Sequence, residues 1–192
     1  MRKIIVVDDE PITRMDICEI LREANYEVVA EAGDGFDAIE QSRKYKPDFV
    51  IMDVKMPILD GLKAAKVITE EKLSRGIVLL TTYSNKEFIE EAKNIGIIGY
   101  IVKPIDEKSF IPNLEIIFNK QEEFEKLEKK YIKTSQKLED RKKIDIAKSL
   151  LMKTRNFTEN EAYEYIRTLS MNKRCDMGKI ADIIILSGDE NA

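Results

Sequence analysis

The chain has 192 residues, enough for one large domain or for one ordinary domain and a small module. Hydrophobic residues make up 43% of it, which is enough for a core and argues against wholesale disorder. No apolar run reaches about 18 residues, so the sequence predicts no membrane span. Histidine is absent, which excludes histidine-based triads, zincin motifs and phosphohistidine chemistry within this chain.

The N-terminus and the cysteines predict a cytoplasmic protein. The apolar run at residues 4–7 is too short for a signal peptide, and Asp8 follows it at once. Cys18 and Cys175 lie far apart in the sequence, which fits buried thiols in a reducing compartment better than a disulfide framework.

Short apolar runs alternate with amphipathic stretches through the first 120 residues. The runs are rich in valine and isoleucine and predict strands at residues 4–7, 27–32, 49–52, 77–81 and 100–102. The stretches between and after them predict helices at residues 13–24, 36–45, 62–73, 86–95 and 108–120. Five such units predict an α/β fold in which a five-stranded parallel sheet is doubly wound, with helices on both faces.

A long helix is predicted to continue from the last of these units. Residues 108–135 contain no glycine, and their one proline, Pro112, falls in what would be the first helical turn, where proline is tolerated. Apolar residues recur every three or four positions at Leu114, Ile117, Phe124, Leu127, Tyr131 and Leu138. We interpret residues 121–140 as a coiled-coil linker helix that dimerises, although polar residues interrupt its seam. The alternative is a solvated linker helix.

The C-terminal part predicts a small all-α module of three helices at residues 141–187. Residues 141–153 have a helical pattern, and Thr158 with Glu161 forms a capping box that opens a second helix. A third helix is expected after Asp176, which is suited to be its N-cap.

Charge is unevenly distributed between the two parts. Residues 1–120 carry 17 basic and 22 acidic side chains, whereas residues 141–174 carry nine basic and four acidic ones. This difference predicts different partners for the two parts. The basic module suits the phosphates of a nucleic acid, and the alternative is a charged, solvated face without a ligand.

Carboxylates follow two of the predicted strands. Asp8 and Asp9 come directly after the first strand and Asp53 after the third. The carboxyl ends of parallel strands meet at one edge of a sheet, so these groups are expected to converge and to raise one another's pKa unless a cation joins them. Such oxygen ligands suit Mg²⁺. A carboxylate can then accept a phosphoryl group, with Lys103 after the fifth strand neutralising charge.

Each residue of this set also has an ordinary structural interpretation. Asp8 or Asp9 caps the next helix in that interpretation, Asp53 caps a turn, and Lys103 is solvated. Thr81, which closes the fourth strand, is either an ordinary strand residue or a hydroxyl donor to phosphoryl oxygens. Coincidence at four strand ends is a weaker explanation than one shared site.

The first 120 residues resemble the receiver domains of two-component response regulators, which have a flavodoxin-like fold. The resemblance is carried by Val6-Val7-Asp8-Asp9-Glu10, Met52-Asp53-Val54-Lys55-Met56-Pro57 leading to Asp60-Gly61, Leu79-Leu80-Thr81, and Tyr100-Ile101-Val102-Lys103-Pro104. It implies that Asp53 accepts a phosphoryl group from a sensor histidine kinase. It also implies that Asp9, Asp53 and the backbone carbonyl of Lys55 bind Mg²⁺, with Asp8 holding the metal through water.

The same resemblance implies roles for residues around this site. Thr81 would be the switch hydroxyl and Tyr100 the aromatic residue that rotates with it. Lys103 would contact the phosphoryl group, and its bond to Pro104 is expected to be cis. Thr82 departs from the alanine usual in the family, which leaves the access to the phosphoryl group and its lifetime open.

The C-terminal module resembles the ANTAR family over residues 141–185. The matching segments are Arg141-Lys142-Lys143-Ile144-Asp145-Ile146-Ala147-Lys148-Ser149-Leu150-Leu151-Met152, Thr158-Glu159-Asn160-Glu161-Ala162-Tyr163, Ile166-Arg167-Thr168-Leu169-Ser170-Met171, and Ile180-Ala181. ANTAR domains bind RNA as antiterminators, and the whole arrangement is most similar to the ethanolamine-utilisation regulators of Gram-positive bacteria. Ser170 stands where many members have alanine.

This second resemblance implies that a homodimer, formed on phosphorylation, binds paired RNA hairpins in leader transcripts and promotes antitermination. The candidate RNA contacts are Lys148, Met152, Tyr163, Arg167, Met171 and Arg174. For Tyr163, a place in the core is the alternative. The chain is then a regulator and not an enzyme, and its only chemistry is that of its own phosphorylation and dephosphorylation. The alternatives are a DNA-binding transcription factor with the same switch and a receiver that acts as a protein-interaction adaptor.

Overall fold

The computed structural model describes residues 1–82 and 86–189, and the side chains of all of these except residues 86–88, 188 and 189. The chain divides into two compact units, Met1–Phe124 and Glu125–Ala192. Each unit has a hydrophobic core of its own. Among the described residues, no helix combines the length and the apolar character that a membrane crossing requires.

Strands and helices alternate through the first unit. The strands are β1 (Lys3–Val7), β2 (Glu27–Ala32), β3 (Phe49–Asp53), β4 (Gly76–Thr81) and β5 (Gly99–Val102). The helices are α1 (Pro11–Glu23), α2 (Gly35–Tyr45), α3 (Gly61–Glu70), α4 (Lys86–Ile95) and the first part of α5 (Glu107–Arg155). The strands pair in parallel in the order β2-β1-β3-β4-β5. The predicted five-stranded parallel sheet is confirmed, and each predicted strand agrees with the observed one to within one residue.

Helices cover both faces of this sheet. Side chains of a strand point alternately to its two faces, so Ile5 and Val7 of β1 pack in one core layer with α2, α3 and α4. Ile4 and Val6 pack in the other layer, with α1 and α5. This arrangement explains why the strands read as continuous apolar runs rather than as an alternation of apolar and polar residues.

The first turns of α5 are held against the sheet by large aromatic side chains. Phe110 and Phe118 are buried, and the Phe118 ring stacks on Phe49 with 3.9 Å between the ring centroids. Pro112 is the sixth residue of α5, so its predicted place in the first turn is wrong, because the helix begins at Glu107. Because proline has no backbone N–H, one helical hydrogen bond is missing at Pro112. The packing of neighbouring residues such as Phe110 and Leu114 against the sheet stabilises the helix there.

The second unit is built from the end of α5 and two further helices, α6 (Glu159–Lys173) and α7 (Met177–Asp189). The helix predicted at residues 141–153 is the last part of α5, which runs on without interruption because no glycine or proline lies between Pro112 and its end. Ala147 and Ala162 are fully buried in this unit's core, which is the close helix packing expected of them. The predicted capping box of Thr158 and Glu161 is present.

Candidate functional site

Three carboxylates meet at the carboxyl edge of the sheet. Asp8 and Asp9 directly follow β1, and Asp53 ends the neighbouring strand β3. One carboxylate oxygen from each residue lies within 4.8 Å of the others. Asp8 is fully buried and Asp53 is 7% exposed, whereas Asp9 faces solvent. The structure therefore brings together the three acidic residues that the sequence placed at one sheet edge.

Lys103 joins this cluster from the end of β5. Its Nζ atom lies 2.8 Å from Oδ2 of Asp8 and 2.8 Å from Oδ2 of Asp53. The backbone N–H of Lys103 donates to the Thr81 carbonyl oxygen at 2.9 Å, and the bond from Lys103 to Pro104 is cis. One ammonium group thus contacts two carboxylates that stand at the ends of two adjacent strands.

Burial and charge act against each other at this ion pair. Burial raises the pKa of Asp53, and the hydrogen bond and charge of Lys103 offset part of that rise. Burial lowers the pKa of Lys103, but its hydrogen bonds to Asp53 and Asp8 outweigh the burial and leave that pKa raised. The ammonium is therefore charged at neutral pH. Three carboxylates against one lysine leave an excess of negative charge, which favours binding of a cation.

The donor set and its surroundings fit Mg²⁺. Oxygens on opposite sides of an octahedral Mg²⁺ ion are about 4 Å apart, so oxygens within 4.8 Å need little movement to share one ion. A cavity of about 710 Å³ opens beside the cluster, and Asp9, Asp53, Lys55, Thr82 and Lys103 are among the residues that line it. This space leaves room for the waters that Mg²⁺ keeps and for a phosphate that completes its coordination.

The two predicted switch residues differ in exposure and in place: Thr81 is buried, and Tyr100 is exposed. Thr81 is 1% exposed at the end of β4 and pairs in register with Val102 of β5. Tyr100 is 40% exposed on β5, the edge strand, and borders a second cavity of about 420 Å³ that β5 and α5 line. Thr81 directly follows Leu80, the register partner of Asp53, and so lies at the same sheet edge as the carboxylate cluster, while Tyr100 belongs to the outer face of the edge strand.

Two of the predicted RNA contacts of the second unit already form ion pairs with acidic residues of the same unit. Lys148 is only 16% exposed, and its Nζ lies 2.9 Å from a carboxylate oxygen of Asp145 and 2.9 Å from one of Glu159. Arg167 pairs with Glu164 at 3.2 Å on the surface of α6. The charges of both basic groups are thus partly neutralised within the module.

The remaining predicted contacts lie at the surface. Met152, Tyr163 and Met171 are 41%, 43% and 69% exposed. The position of Tyr163 excludes the alternative that it belongs to the core. Arg174 ends α6 in the left-handed conformation, with φ of 50°, and is exposed.

Comparison with known families covers both units. Residues 4–115, more than half of the chain, match the response regulator receiver domain. The chain belongs to the response regulator family. Residues 133–185 match the ANTAR domain, so this response regulator carries an ANTAR domain after its receiver domain. Both domains are regulatory rather than catalytic.

Individual relatives show how far the similarity extends. The transcriptional regulatory protein PdtaR of Mycobacterium tuberculosis is 39% identical over 184 residues, which is 96% of this response regulator and 89% of the relative. The chemotaxis protein CheY of Halobacterium salinarum is 36% identical over 108 residues, 56% of this chain and 89% of the relative. The structure of the Vibrio cholerae chemotaxis protein CheY4 is 31% identical, with a TM-score of 0.58, and covers 61% of this chain and 98% of its own.

Two contacts that hold Asp8 were not anticipated from the sequence. Arg14 of α1 donates from Nη1 to the backbone carbonyl oxygen of Asp8 at 2.6 Å. The backbone N–H of Glu10 donates to Asp8 Oδ1 at 3.0 Å. The only signal for Arg14 in the sequence was its place in the first turn of α1, which begins two residues after Asp9, and that place alone does not specify the contact. In this response regulator, the Arg14 contact holds the backbone of Asp8 and the Glu10 contact holds its carboxylate.

Proposed function

We propose that a sensor histidine kinase phosphorylates this response regulator on Asp53 in the cytoplasm, and that the phosphoryl group controls RNA binding and transcription antitermination. The single observation that carries the proposal is the contact of Lys103 with Asp53 and Asp8 at 2.8 Å, beside an open cavity. We place the receiver domain at residues 1–120, the linker helix at 121–140 and the RNA-binding domain at 141–187.

In the proposed reaction, a carboxylate oxygen of Asp53 attacks the phosphorus atom of a phosphohistidine, and the bond from phosphorus to the histidine nitrogen breaks. Asp8, Asp9, Asp53 and the backbone carbonyl of Lys55 would hold Mg²⁺, which supplies neutralisation of phosphoryl charge. Asp53 loses its carboxylate charge when it becomes an acyl phosphate. The Lys103 ammonium can then pair with a phosphoryl oxygen, because the phosphoryl group carries more negative charge than any carboxylate that remains near the lysine.

The switch would start from these same changes in charge. Thr81, buried beside the cluster, donates its hydroxyl to a phosphoryl oxygen in the proposed phosphorylated state, and Tyr100 changes its position on the outer face of β5. Apolar residues that water reaches in the single chain would then pair in a homodimer. Phe124, Leu127 and Tyr131 of α5 are 62%, 66% and 74% exposed and repeat at the spacing of a coiled-coil seam.

Dimerisation would place two RNA-binding domains on one molecule. Two linked modules that bind paired hairpins gain affinity through effective concentration, without any new contact. Unpaired loop bases are the part of RNA that proteins read by sequence. The proposed contacts are Lys148, Met152, Tyr163, Arg167, Met171 and Arg174. The bound hairpins would favour the antiterminator over the terminator structure of a leader transcript.

Two assays test the proposal. Transfer of labelled phosphate from a phosphorylated kinase is expected for the wild type and for Asp37→Ala, a change at an exposed aspartate of α2, and is expected to be lost in Asp53→Ala. Labelling that persists in Asp53→Ala places the acceptor elsewhere. In a purified transcription system, the phosphorylated protein is expected to increase read-through past a leader terminator. Unchanged read-through contradicts antitermination and leaves the phosphorylation result standing.

A further inference from the structure

An arginine lies over a tyrosine ring where α5 is followed by α6. Arg155 is the last residue of α5, and its guanidinium carbon lies 5.0 Å from the centroid of the Tyr165 ring. Nη1 of the same guanidinium donates to the Tyr165 hydroxyl at 2.9 Å. Phe157, in the turn, packs edge-on to Tyr165 with 5.7 Å between the ring centroids. These contacts fix the orientation of the guanidinium plane.

Arg155 differs from other basic residues of this unit in the nature of its partner. Lys143, Lys148 and Arg167 each lie within ion-pair distance of a carboxylate. Arg155 forms no ion pair within the part of the chain that the structure describes, and its partner is the neutral Tyr165 hydroxyl. A guanidinium has five N–H donors, so most of them stay available on an exposed side chain with undiminished charge.

The acidic residues of the first turn of α6 form hydrogen bonds with groups other than Arg155. Glu159 accepts a hydrogen bond from Lys148 at 2.9 Å. Glu161 accepts from the backbone N–H of Thr158 at 2.7 Å and completes the capping box. The turn between α5 and α6 therefore presents the exposed positive charge of Arg155, which lies against the Tyr165 ring. It belongs to residues 141–174, which carry nine basic and four acidic side chains.

We propose that Arg155 and Tyr165 form a binding site for one unpaired nucleobase and a neighbouring phosphate of an RNA loop, an inference that rests on the RNA binding proposed above. The guanidinium is flat and weakly hydrated, so a base can stack on its outer face while its remaining N–H groups donate to a phosphate oxygen. Tyr165 already restrains the side chain, so little conformational entropy is lost on binding. A base inside a duplex is stacked between its neighbours and cannot use this site.

Three variants separate the stacking from the charge. Arg155→Ala removes both, Arg155→Lys keeps the charge without the plane, and Tyr165→Leu keeps an apolar contact with Phe157 while the ring and its hydroxyl are lost. The probe is an RNA hairpin with a G·C stem and a loop selected for binding by the wild-type chain, and the blunt duplex of that stem is its comparison. Thermal unfolding of each variant shows whether the fold is kept.

Arg155→Ala is expected to weaken hairpin binding by roughly tenfold or more, the usual effect of losing one stacked base. It should also lower the slope of log affinity against log salt by about 0.7, the contribution of one phosphate contact on a single strand. Arg155→Lys keeps the positive charge, so the slope of log affinity against log salt should stay as in the wild type. It lacks the flat guanidinium, so it should lose most of the wild-type affinity for the hairpin. Tyr165→Leu should weaken hairpin binding more than it weakens binding of the blunt duplex.

Tyr45→Leu is the matched control, because Lys44 lies over the Tyr45 ring at 4.8 Å in the receiver unit and the site there is not proposed to bind RNA. It is expected to leave the affinity unchanged. If the wild type binds the hairpin and all the variants at positions 155 and 165 bind it equally well, the stacking site is wrong while RNA binding stands. If the wild type binds no hairpin with any of the loop sequences offered for selection, both the proposed RNA binding and the stacking site are wrong.

Discussion

Lys103 and Asp53 form an ion pair at the carboxyl edge of the sheet, with 2.8 Å between Nζ and Oδ2. The same ammonium lies 2.8 Å from Asp8, so a single positive charge holds two carboxylates that are largely shielded from water. Removing the lysine from this buried cluster costs far more than removing an exposed ion pair, because both carboxylates then remain buried without a compensating positive charge.

Lys103→Met is therefore expected to lower the free energy of unfolding by about 3 kcal/mol in buffer without Mg²⁺. Added Mg²⁺ should stabilise this variant more than it stabilises the wild type, since the ion replaces the missing positive charge. Urea unfolding with and without Mg²⁺ measures both effects. Lys63→Met is the control, because Lys63 pairs with Asp60 at 2.8 Å but is 75% exposed. Equal losses in the two variants would contradict the role given to Lys103.

Asp53→Asn is expected to raise the melting temperature at neutral pH in buffer without Mg²⁺. Burial raises the pKa of Asp53 in the folded chain, so the folded state holds this proton more tightly than the unfolded state does. The contribution of Asp53 to stability is thus full below the unfolded pKa of about 3.8 and is lost as the pH rises through the raised folded pKa. Asparagine imitates the protonated form at every pH.

Melting curves at neutral pH and near pH 4 measure this difference. The advantage of Asp53→Asn should shrink at the lower pH, because the raised pKa of Asp53 leaves a larger share of this carboxyl protonated there than at neutral pH. Asp37→Asn, at an exposed position of α2, should show neither effect. If Asp53→Asn raises the melting temperature equally at both pH values, the stabilisation has a cause other than the ionisation of Asp53.

Gly61→Ala is expected to weaken Mg²⁺ binding and to lower stability by about 1–3 kcal/mol. A Cβ atom at Gly61 would stand against the backbone carbonyl oxygen of Asp53, closer than Cβ contacts normally come. The segment between β3 and α3, which includes Lys55, would have to shift to make room. At Gly33 a Cβ atom has only the Arg14 Nη1 atom near it, at 3.8 Å, so Gly33→Ala is the control. Calorimetric Mg²⁺ titration that gives equal affinities for both variants would contradict this expectation.

Leu127→Glu is expected to prevent dimerisation of the phosphorylated chain without destabilising the monomer. Leu127 is 66% exposed in the single chain, so a charge there costs little until two helices pack together. Sedimentation of the phosphorylated wild type and variant measures the difference. Lys129→Glu, at an exposed position outside the seam, should still dimerise. A wild type that remains monomeric at all concentrations would contradict the proposed dimer.

The sheet and its acidic edge could be predicted because each strand leaves a local trace. Apolar runs rich in β-branched residues mark strands, and a parallel sheet carries whatever follows them to one edge. Asp8, Asp53 and Lys103 could thus be grouped although the first and the last lie 95 positions apart in the sequence. The contact of Arg14 with the Asp8 carbonyl was missed, because it depends on how α1 leans on β1, which the sequence pattern does not specify.

The second unit could be predicted less fully, because its chemistry depends on pairs formed between helices. The sequence presented Lys148 as a basic surface residue, whereas the structure shows it held by Asp145 and Glu159. The contact of Arg155 with Tyr165 joins residues ten positions apart across a turn, and neither helix alone has a pattern that indicates it. The uninterrupted course of α5 could have been read from the absence of glycine and proline after Pro112.

We propose above all that a phosphoryl group on Asp53 controls RNA binding by the C-terminal domain. The most direct test measures the affinity of the full chain for a tandem RNA hairpin before and after treatment with acetyl phosphate and Mg²⁺, for the wild type and for Asp53→Asn. The wild type is expected to bind about a hundredfold more tightly after treatment, as two linked modules do, and the variant should not respond. Equal affinity of the treated and untreated wild type, at confirmed phosphorylation of Asp53, would contradict the claim.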